Sequence, residues 1–186
     1  SAARSSDARA VNPRMTKGQR DELLPQAIEL YIGLGSNLGD PQQQVNQALL
    51  ELAALPDCEL LQHSQLYRSD PVGPQDQPDY INAVAKLRTR LQPEALLDQL
   101  QALERSHHRV RGQHWGARTL DLDILLFGDL QIDSARLNVP HPYMNKRSFV
   151  LYPLQEIAPD LRLPNGNSIN QLIAECDRGT LAPVQV

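Results

Sequence analysis

The chain has 186 residues, 41% of them hydrophobic and 22% charged, and a formal net charge of −4. That length and apolar content suit one domain with a proper core, and the negative balance weighs against a general nucleic-acid or anionic-membrane binder. The two cysteines, Cys58 and Cys176, make neither a disulfide framework nor a metal-ligand spacing, and no apolar run reaches membrane-spanning length. No charged-then-apolar leader opens the sequence, so the expected location is the cytoplasm, with both thiols as small buried apolar residues in a reducing compartment.

Residues 1–26 are polar and aperiodic and are expected to form a flexible N-terminal extension, with residues 27–186 as a single domain. Ile28, Leu30, Ile32 and Leu34 alternate with Glu29, Tyr31 and Gly33, the pattern of a strand. It runs into a glycine-rich turn, Gly33-Leu34-Gly35-Ser36-Asn37-Leu38-Gly39, which lacks the spacing of a dinucleotide fingerprint and the lysine of a phosphate loop. Asp40 and Pro41 then open a helix with Val45, Ala48, Leu49 and Leu52 as its apolar stripe, and Pro56 ends it. Cys58 to Arg68 reads as a second strand, 69–79 as a proline-rich loop, and Tyr80 to Leu91 as a third strand with Ile81, Ala83, Ala85 and Leu87 on one face. Pro93 and Glu94 open a second helix striped by Leu96, Leu97, Leu100 and Leu103. A basic segment follows, then a fourth strand through Asp121 and Asp123. Gly128-Asp129 turns into a short return strand at 130–132, and 139–148 is another proline-bearing basic segment. Phe149 to Ile157 is expected to be helical, as is Ser168 to Glu175. The order strand, helix, strand, strand, helix, strand predicts an α+β fold. Its form is a ferredoxin-like βαββαβ antiparallel sheet with the helices on one face and a C-terminal extension. Any site would lie on the rim and open face of that sheet.

The chemistry concentrates in His114 to Gly128. Residues two apart in a strand share a face, which sets Asp121 beside Asp123, with Leu120, Leu122, Ile124 and Leu126 on the opposite side. Neighbouring carboxylates repel unless a cation lies between them, and a hard ion such as Mg²⁺ takes oxygen ligands. Taken alone, the pair reads more readily as the wet face of a strand. Its surroundings change the balance. Between Arg105 and Leu120 there is no acid, but there are Arg105, Arg109, Arg111 and Arg118 with His107, His108 and His114. Cations feeding an acidic pair are expected where Mg²⁺ and arginine share a polyphosphate. The 105–117 stretch, charged and without an apolar stripe, is expected to close as a lid on a nucleotide.

Five motifs in order carry a family resemblance: Gly35-Ser-Asn-Leu-Gly39; Gly73-Pro-Gln-Asp-Gln-Pro-Asp-Tyr80-Ile-Asn82; Arg109-Val-Arg111; His114-Trp-Gly-Ala-Arg118-Thr-Leu-Asp121-Leu-Asp123; and Val139-Pro-His141 with Arg147-Ser-Phe149. Over about residues 28–175 the chain resembles the 6-hydroxymethyl-7,8-dihydropterin pyrophosphokinases of folate biosynthesis. The resemblance implies transfer of the terminal two phosphates of ATP to the hydroxymethyl group of the pterin, with ATP and the pterin as partners and no nucleic acid or membrane. It implies two Mg²⁺ ions on Asp121 and Asp123, and Arg109 and Arg118 as catalytic arginines. It implies a pterin pocket of Gly35, Ser69, Asp70, Val72, Tyr80, Asn82, Trp115 and Phe149, and ATP contacts from Glu104, Arg111, Ile124, Arg136, His141 and Arg147. Between Arg111 and Trp115 the chain is one residue shorter than its apparent relatives. Two other readings compete. Another Mg²⁺–nucleotide enzyme with a ferredoxin-like sheet would not bring Trp115 and Phe149 together with Tyr80 and Asn82. An RNA-binding module would want exposed aromatics and a basic face where this chain has Asp121 and Asp123.

Overall fold

Strand β1 (Ile28–Ser36) lies at the centre of the sheet and sorts its side chains as the alternation predicts. Leu30, Ile32 and Leu34 enter one core cluster and Tyr31 enters the other. The computed structural model describes residues 20–70, 79–110 and 120–184, except the side chains of 108–110. Within them β2 (Cys58–His63), β3 (Tyr67–Ser69), β4 (Tyr80–Thr89) and β5 (Asp121–Phe127) join β1 in the main sheet, which a two-residue strand at 182–183 extends along β3. The order is β5-β1-β4, with β2 and β3 both paired to the far edge of β4 and every pairing antiparallel. Counting β2 and β3 as one position, this is the strand order of a split βαβ unit.

The segment predicted as one strand over 58–68 is two. At the break the Ser64 hydroxyl enters the ladder, accepting from Val84 N at 3.0 Å and donating to Gln65 O at 2.7 Å. A serine side chain bonding the main chain competes with the regular ladder, so the strand interrupts there and resumes at Tyr67.

Helix α1 (Pro41–Ala53) is capped by Asp40, whose carboxylate accepts from Gln43 N at 3.2 Å. Helix α2 (Pro93–Val110) and α1 bury Val45, Ala48, Leu49, Leu52, Leu96, Leu97 and Leu100 against Leu30, Ile32, Leu34 and Leu87 of the sheet. The helices of the βαβ units thus share one face, as their order predicts. The opposite face is not open along its length, however. Helices α3 (Ser148–Ile157) and α4 (Ile169–Ala174) cover part of it, packing Val150, Leu151, Leu154 and Ile169 on Tyr31, Val84, Leu125 and Leu126. Leu100 is fully buried in the first cluster. Replacing it with Ala is expected to cost about 2–5 kcal/mol, seen as a lower urea midpoint at unchanged slope.

Helix α2 continues to Val110, so the basic segment expected to be loop from Arg105 is helical over its first residues. His107 is 6% exposed. Its Nε2 lies 2.6 Å from Glu51 Oε1, and its Nδ1 meets Gln44 Oε1. It clasps α2 to α1 and faces away from solvent. The expected return strand at 130–132 is β6 (Ile132–Asp133), paired with β7 (Asn138–Val139) as a two-stranded ribbon. Leu24 and Arg90 exchange bonds of 2.7 and 2.9 Å, which lays residues near 24 against the end of β4. Cys58 and Cys176 are half-buried and unpaired, contrary to their expected full burial, and burial pushes both thiols above their ordinary range. Among the described residues no helix is long and apolar enough to cross a membrane.

Candidate active site

The alternation along β5 fails at one residue, and the failure helps to build the site. Ile124 pairs with Ile32 and Leu126 with Tyr31, so Leu125 is an extra residue, a bulge. The bulge turns Leu126, expected on the face of Leu120, Leu122 and Ile124, into the second core cluster beside Leu125. It also leaves the Leu125 carbonyl to accept from His141 N at 3.0 Å. The Val139-Pro140-His141 segment is thereby fastened to β5 two residues beyond Asp123.

Across from the carboxylates stand glycines. Asp121 is opposite Gly35 and Asp123 opposite Gly33 in the β1–β5 ladder. Directly opposed residues share a sheet face, so no β1 side chain covers either carboxylate. On its other side Gly35 pairs with Asn82 of β4. A Cβ at position 35 would stand 3.0 Å from Asn82 Oδ1, so any side chain there would have to push Asn82 aside. Asn82 is 5% exposed and donates from Nδ2 to Ser69 Oγ at 3.4 Å. The sheet therefore ends in a floor of main chain, edged by Asn82 and Ser69 on one side and by the two carboxylates on the other.

The opposite wall is basic and aromatic. Arg147 N-caps α3, and its guanidinium lies 5.6 Å from the Phe149 ring centre and 5.4 Å from that of Tyr143. Stacking of this kind leaves the guanidinium edge available to oxygen acceptors. Burial holds the His141 imidazole below its ordinary value; Asp123 draws it up and Arg147 presses it down again. The net shift favours the uncharged imidazole, which can both donate and accept beside the acidic pair.

These groups enclose a cavity of about 630 Å³, well within the size of small-molecule sites. Of the predicted pterin residues, Gly35, Ser69, Asp70, Tyr80, Asn82 and Phe149 line it. Asp121, Asp123, His141 and Arg147 line it too. Three predicted ATP contacts lie elsewhere. Ile124 is 2% exposed within the core, so its side chain reaches no ligand and only its main chain is left for one. Arg136 is exposed and bonds Asp98 and Gln101 of α2 at 2.6 and 3.2 Å, apart from the cavity walls. Glu104 accepts from Leu122 N at 3.1 Å and so ties α2 to the main chain between the two aspartates. Val72, Arg111, Trp115 and Arg118 lie outside the described residues, as does the side chain of Arg109. The lid expected at 105–117 likewise falls outside them beyond Val110.

Sequence reasoning passed over Lys146, Ser148 and the stretch Arg178–Leu181 as site residues, all of which line the cavity. Lys146 had a signal, its place next to Arg147. The 178–181 stretch had none, because its contact with Asp70 spans 110 positions.

Among the described residues no group of three or more His, Cys, Asp or Glu side chains could hold a metal. Two carboxylates on one strand face are nonetheless the right donor set for Mg²⁺, which keeps water and takes substrate phosphate as further ligands instead of filling an all-protein cage.

An α+β sheet whose end carries an acidic pair faced by Lys146, Arg147 and His141 is an arrangement suited to the handling of phosphates, as in transferases of the kinase class. Comparison with known proteins makes this specific. The family model for 7,8-dihydro-6-hydroxymethylpterin-pyrophosphokinase (HPPK) matches residues 31–159, and the chain belongs to that family. The 2-amino-4-hydroxy-6-hydroxymethyldihydropteridine pyrophosphokinase of Pseudomonas aeruginosa is 54% identical over 147 residues, covering 79% of this chain and 91% of its own length. The Haemophilus influenzae enzyme of the same name is 51% identical over 148 residues, 80% of this chain and 92% of its own. Among solved structures, Plasmodium falciparum HPPK-DHPS wild type superposes with a TM-score of 0.62 at 13% identity, a likeness of fold. The superposition covers 81% of this chain and 41% of the solved one, so this chain spans well under half of that longer protein.

Proposed function

We propose that the chain transfers the terminal two phosphates of ATP, as one unit, to the hydroxymethyl group of 6-hydroxymethyl-7,8-dihydropterin in folate biosynthesis. AMP and the pterin diphosphate are the products. The observation that carries this reading is the shared cavity: within the family-matched segment, Asp121 and Asp123 open into the same space as Ser69, Tyr80, Asn82 and Phe149. A phosphate-handling end and an end suited to a flat heterocycle are thus adjacent.

The reaction forms a bond from the pterin hydroxyl oxygen to the β-phosphorus and breaks the bond from that phosphorus to the oxygen bridging to the α-phosphate. AMP leaves with that electron pair, and the hydroxyl proton goes to water. Bound Mg²⁺ would neutralise the phosphate oxygens and hold the β-phosphorus in line. Asp121 and Asp123 would be the ligands, with two ions expected along the triphosphate. Arg147 and Lys146 offer donors to the triphosphate from the opposite wall, and His141 offers a neutral N–H or acceptor to phosphate or ribose. Arg109 and Arg118 are assigned by motif to the charge that develops on the transferred group and on AMP, a role suited to a guanidinium fork. Phe149 and Trp115 supply aromatic faces for the pterin. Asn82, with Tyr80 and the Gly35 main chain, supplies its polar edge. Glu104 acts at one remove, by fixing the backbone that carries both aspartates. ATP as co-substrate and two cysteines outside any disulfide support action in the cytoplasm.

Incubating the chain with ATP, Mg²⁺ and 6-hydroxymethyl-7,8-dihydropterin is expected to yield AMP and pterin diphosphate in equal amounts, with no turnover when the pterin or the metal is withheld. ADP as the nucleotide product, or equal turnover without pterin, would contradict the reading.

A further inference from the structure

The stretch 178–184 lies beyond the matched family segment, which ends at residue 159, yet it forms a wall of the cavity through Arg178, Gly179, Thr180 and Leu181. It is held there firmly. Strand β8 (Ala182–Pro183) pairs with Tyr67 and Arg68 of β3, and Val184 N donates to Leu66 O at 2.8 Å. Leu181 is 3% exposed. The Arg178 guanidinium lies 5.3 Å from the Tyr152 ring centre on α3, and its Nε donates to Leu181 O at 2.9 Å. The Asp177 carboxylate accepts from Gly179 N at 2.9 Å and rounds the turn. From this braced turn the Thr180 hydroxyl reaches across the cavity edge and accepts from the main-chain N–H of Asp70 at 3.1 Å. Asp70 follows the end of β3, beside Ser69 and Asn82, and its main chain has left the sheet ladder there. A hydroxyl that accepts one bond still has a proton to donate, and this one lines the cavity.

We propose that Thr180 is a positioning residue of the acceptor pocket: it fixes the Asp70 main chain and with it the wall against which the bicyclic heterocycle lies. This rests on the pterin reading above. Because the contact is to the acceptor side and not to Asp121, Asp123 or Arg147, its effect falls on the acceptor and spares the nucleotide. Specificity between pterin-like acceptors is then set in part by a stretch outside the family-matched segment.

The test is steady-state kinetics of Thr180→Val and Thr180→Ser beside the parent chain, each substrate varied in turn, with thermal midpoints for all three. Valine keeps the shape and loses the acceptor oxygen; serine keeps the oxygen. Loss of one neutral hydrogen bond predicts a rise of about fivefold in KM for the pterin in Thr180→Val. KM for ATP and kcat stay within about twofold, and Thr180→Ser restores the parent value. A pterin KM that does not move, that rises in step with the KM for ATP, or that serine fails to restore would overturn the proposal. A parent chain that makes no AMP from ATP and pterin would overturn the functional reading and this proposal together, whereas an active parent with an unaltered valine variant would overturn this proposal alone.

Discussion

Asp123→Asn is expected to cut AMP formation by about a thousandfold or more while leaving the chain as stable as before, or slightly more so. Asp123 is exposed at the cavity end of β5, has Gly33 opposite it, and shares its face with Asp121. Asparagine keeps the shape and removes the charge. In the absence of a bound cation, one member of a repelling pair disappears, so folding loses nothing. In the reacting complex, by contrast, the anion that would hold Mg²⁺ against the triphosphate is gone, and electrostatic stabilisation of transferring phosphate is commonly the largest single contribution to such catalysis. The measurement is AMP released under saturating ATP, pterin and Mg²⁺, with urea unfolding in parallel. Near-parent turnover would remove the carboxylate pair from the mechanism. A variant that is inactive because it unfolds at lower urea would mean instead that Asp123 is structural.

Gly35→Val is expected to weaken acceptor binding strongly without destroying the fold. Gly35 sits in a regular ladder between Asn82 and Asp121 and has no positive φ, so its backbone accepts a side chain. What fails is space. The new Cβ would meet Asn82 Oδ1 at 3.0 Å, and the two methyls would stand above the main-chain floor of the cavity. Asn82 must give way, weakening its 3.4 Å link to Ser69. Overpacking of this kind costs about 1–3 kcal/mol in stability, while KM for the pterin is expected to rise more than about tenfold, since both the volume and the polar edge are altered. Gly33→Ala is a useful contrast: its Cβ would approach the end of the flexible Leu125 side chain at 3.3 Å, which can shift, so the effect should be smaller. Pterin titration and thermal unfolding of the two variants separate the cases. A valine variant with the parent's KM would show that the heterocycle does not lie over Gly35.

The sheet was legible in the sequence because period-two burial is a local signal. Leu30, Ile32 and Leu34 against Tyr31 and Gly33, and Ile81, Ala83, Ala85 and Leu87 against Asn82 and Val84, sort as the alternation says. The acidic pair was legible for the same reason, since Asp121 and Asp123 precede the bulge. Beyond it the rule broke. The side chain of the extra residue, Leu125, packs over Gly33 of β1, where a glycine leaves room for a leucine, and that is a cross-strand fact. The split at Ser64 turns on a hydroxyl entering the ladder through Val84, twenty positions away. His107 was read as one more cation in a basic run, but it turns inward to Gln44 and Glu51 on another helix. Arg136 was placed with the nucleotide by motif, and in the structure it is engaged by Asp98. Where the controlling partner lies on another element, the one-dimensional pattern holds no trace of it.

The glycine floor bears on how compounds aimed at this cavity would fare. A molecule pressed against Gly33 and Gly35 touches peptide groups, and peptide groups do not change when codons do. Escape by substitution at those positions has one available direction, added bulk, and at Gly35 added bulk is expected to hinder the natural acceptor too. Compounds that draw their affinity from Tyr80 or Phe149 leave the protein more ways out than those that draw it from the β1 backbone.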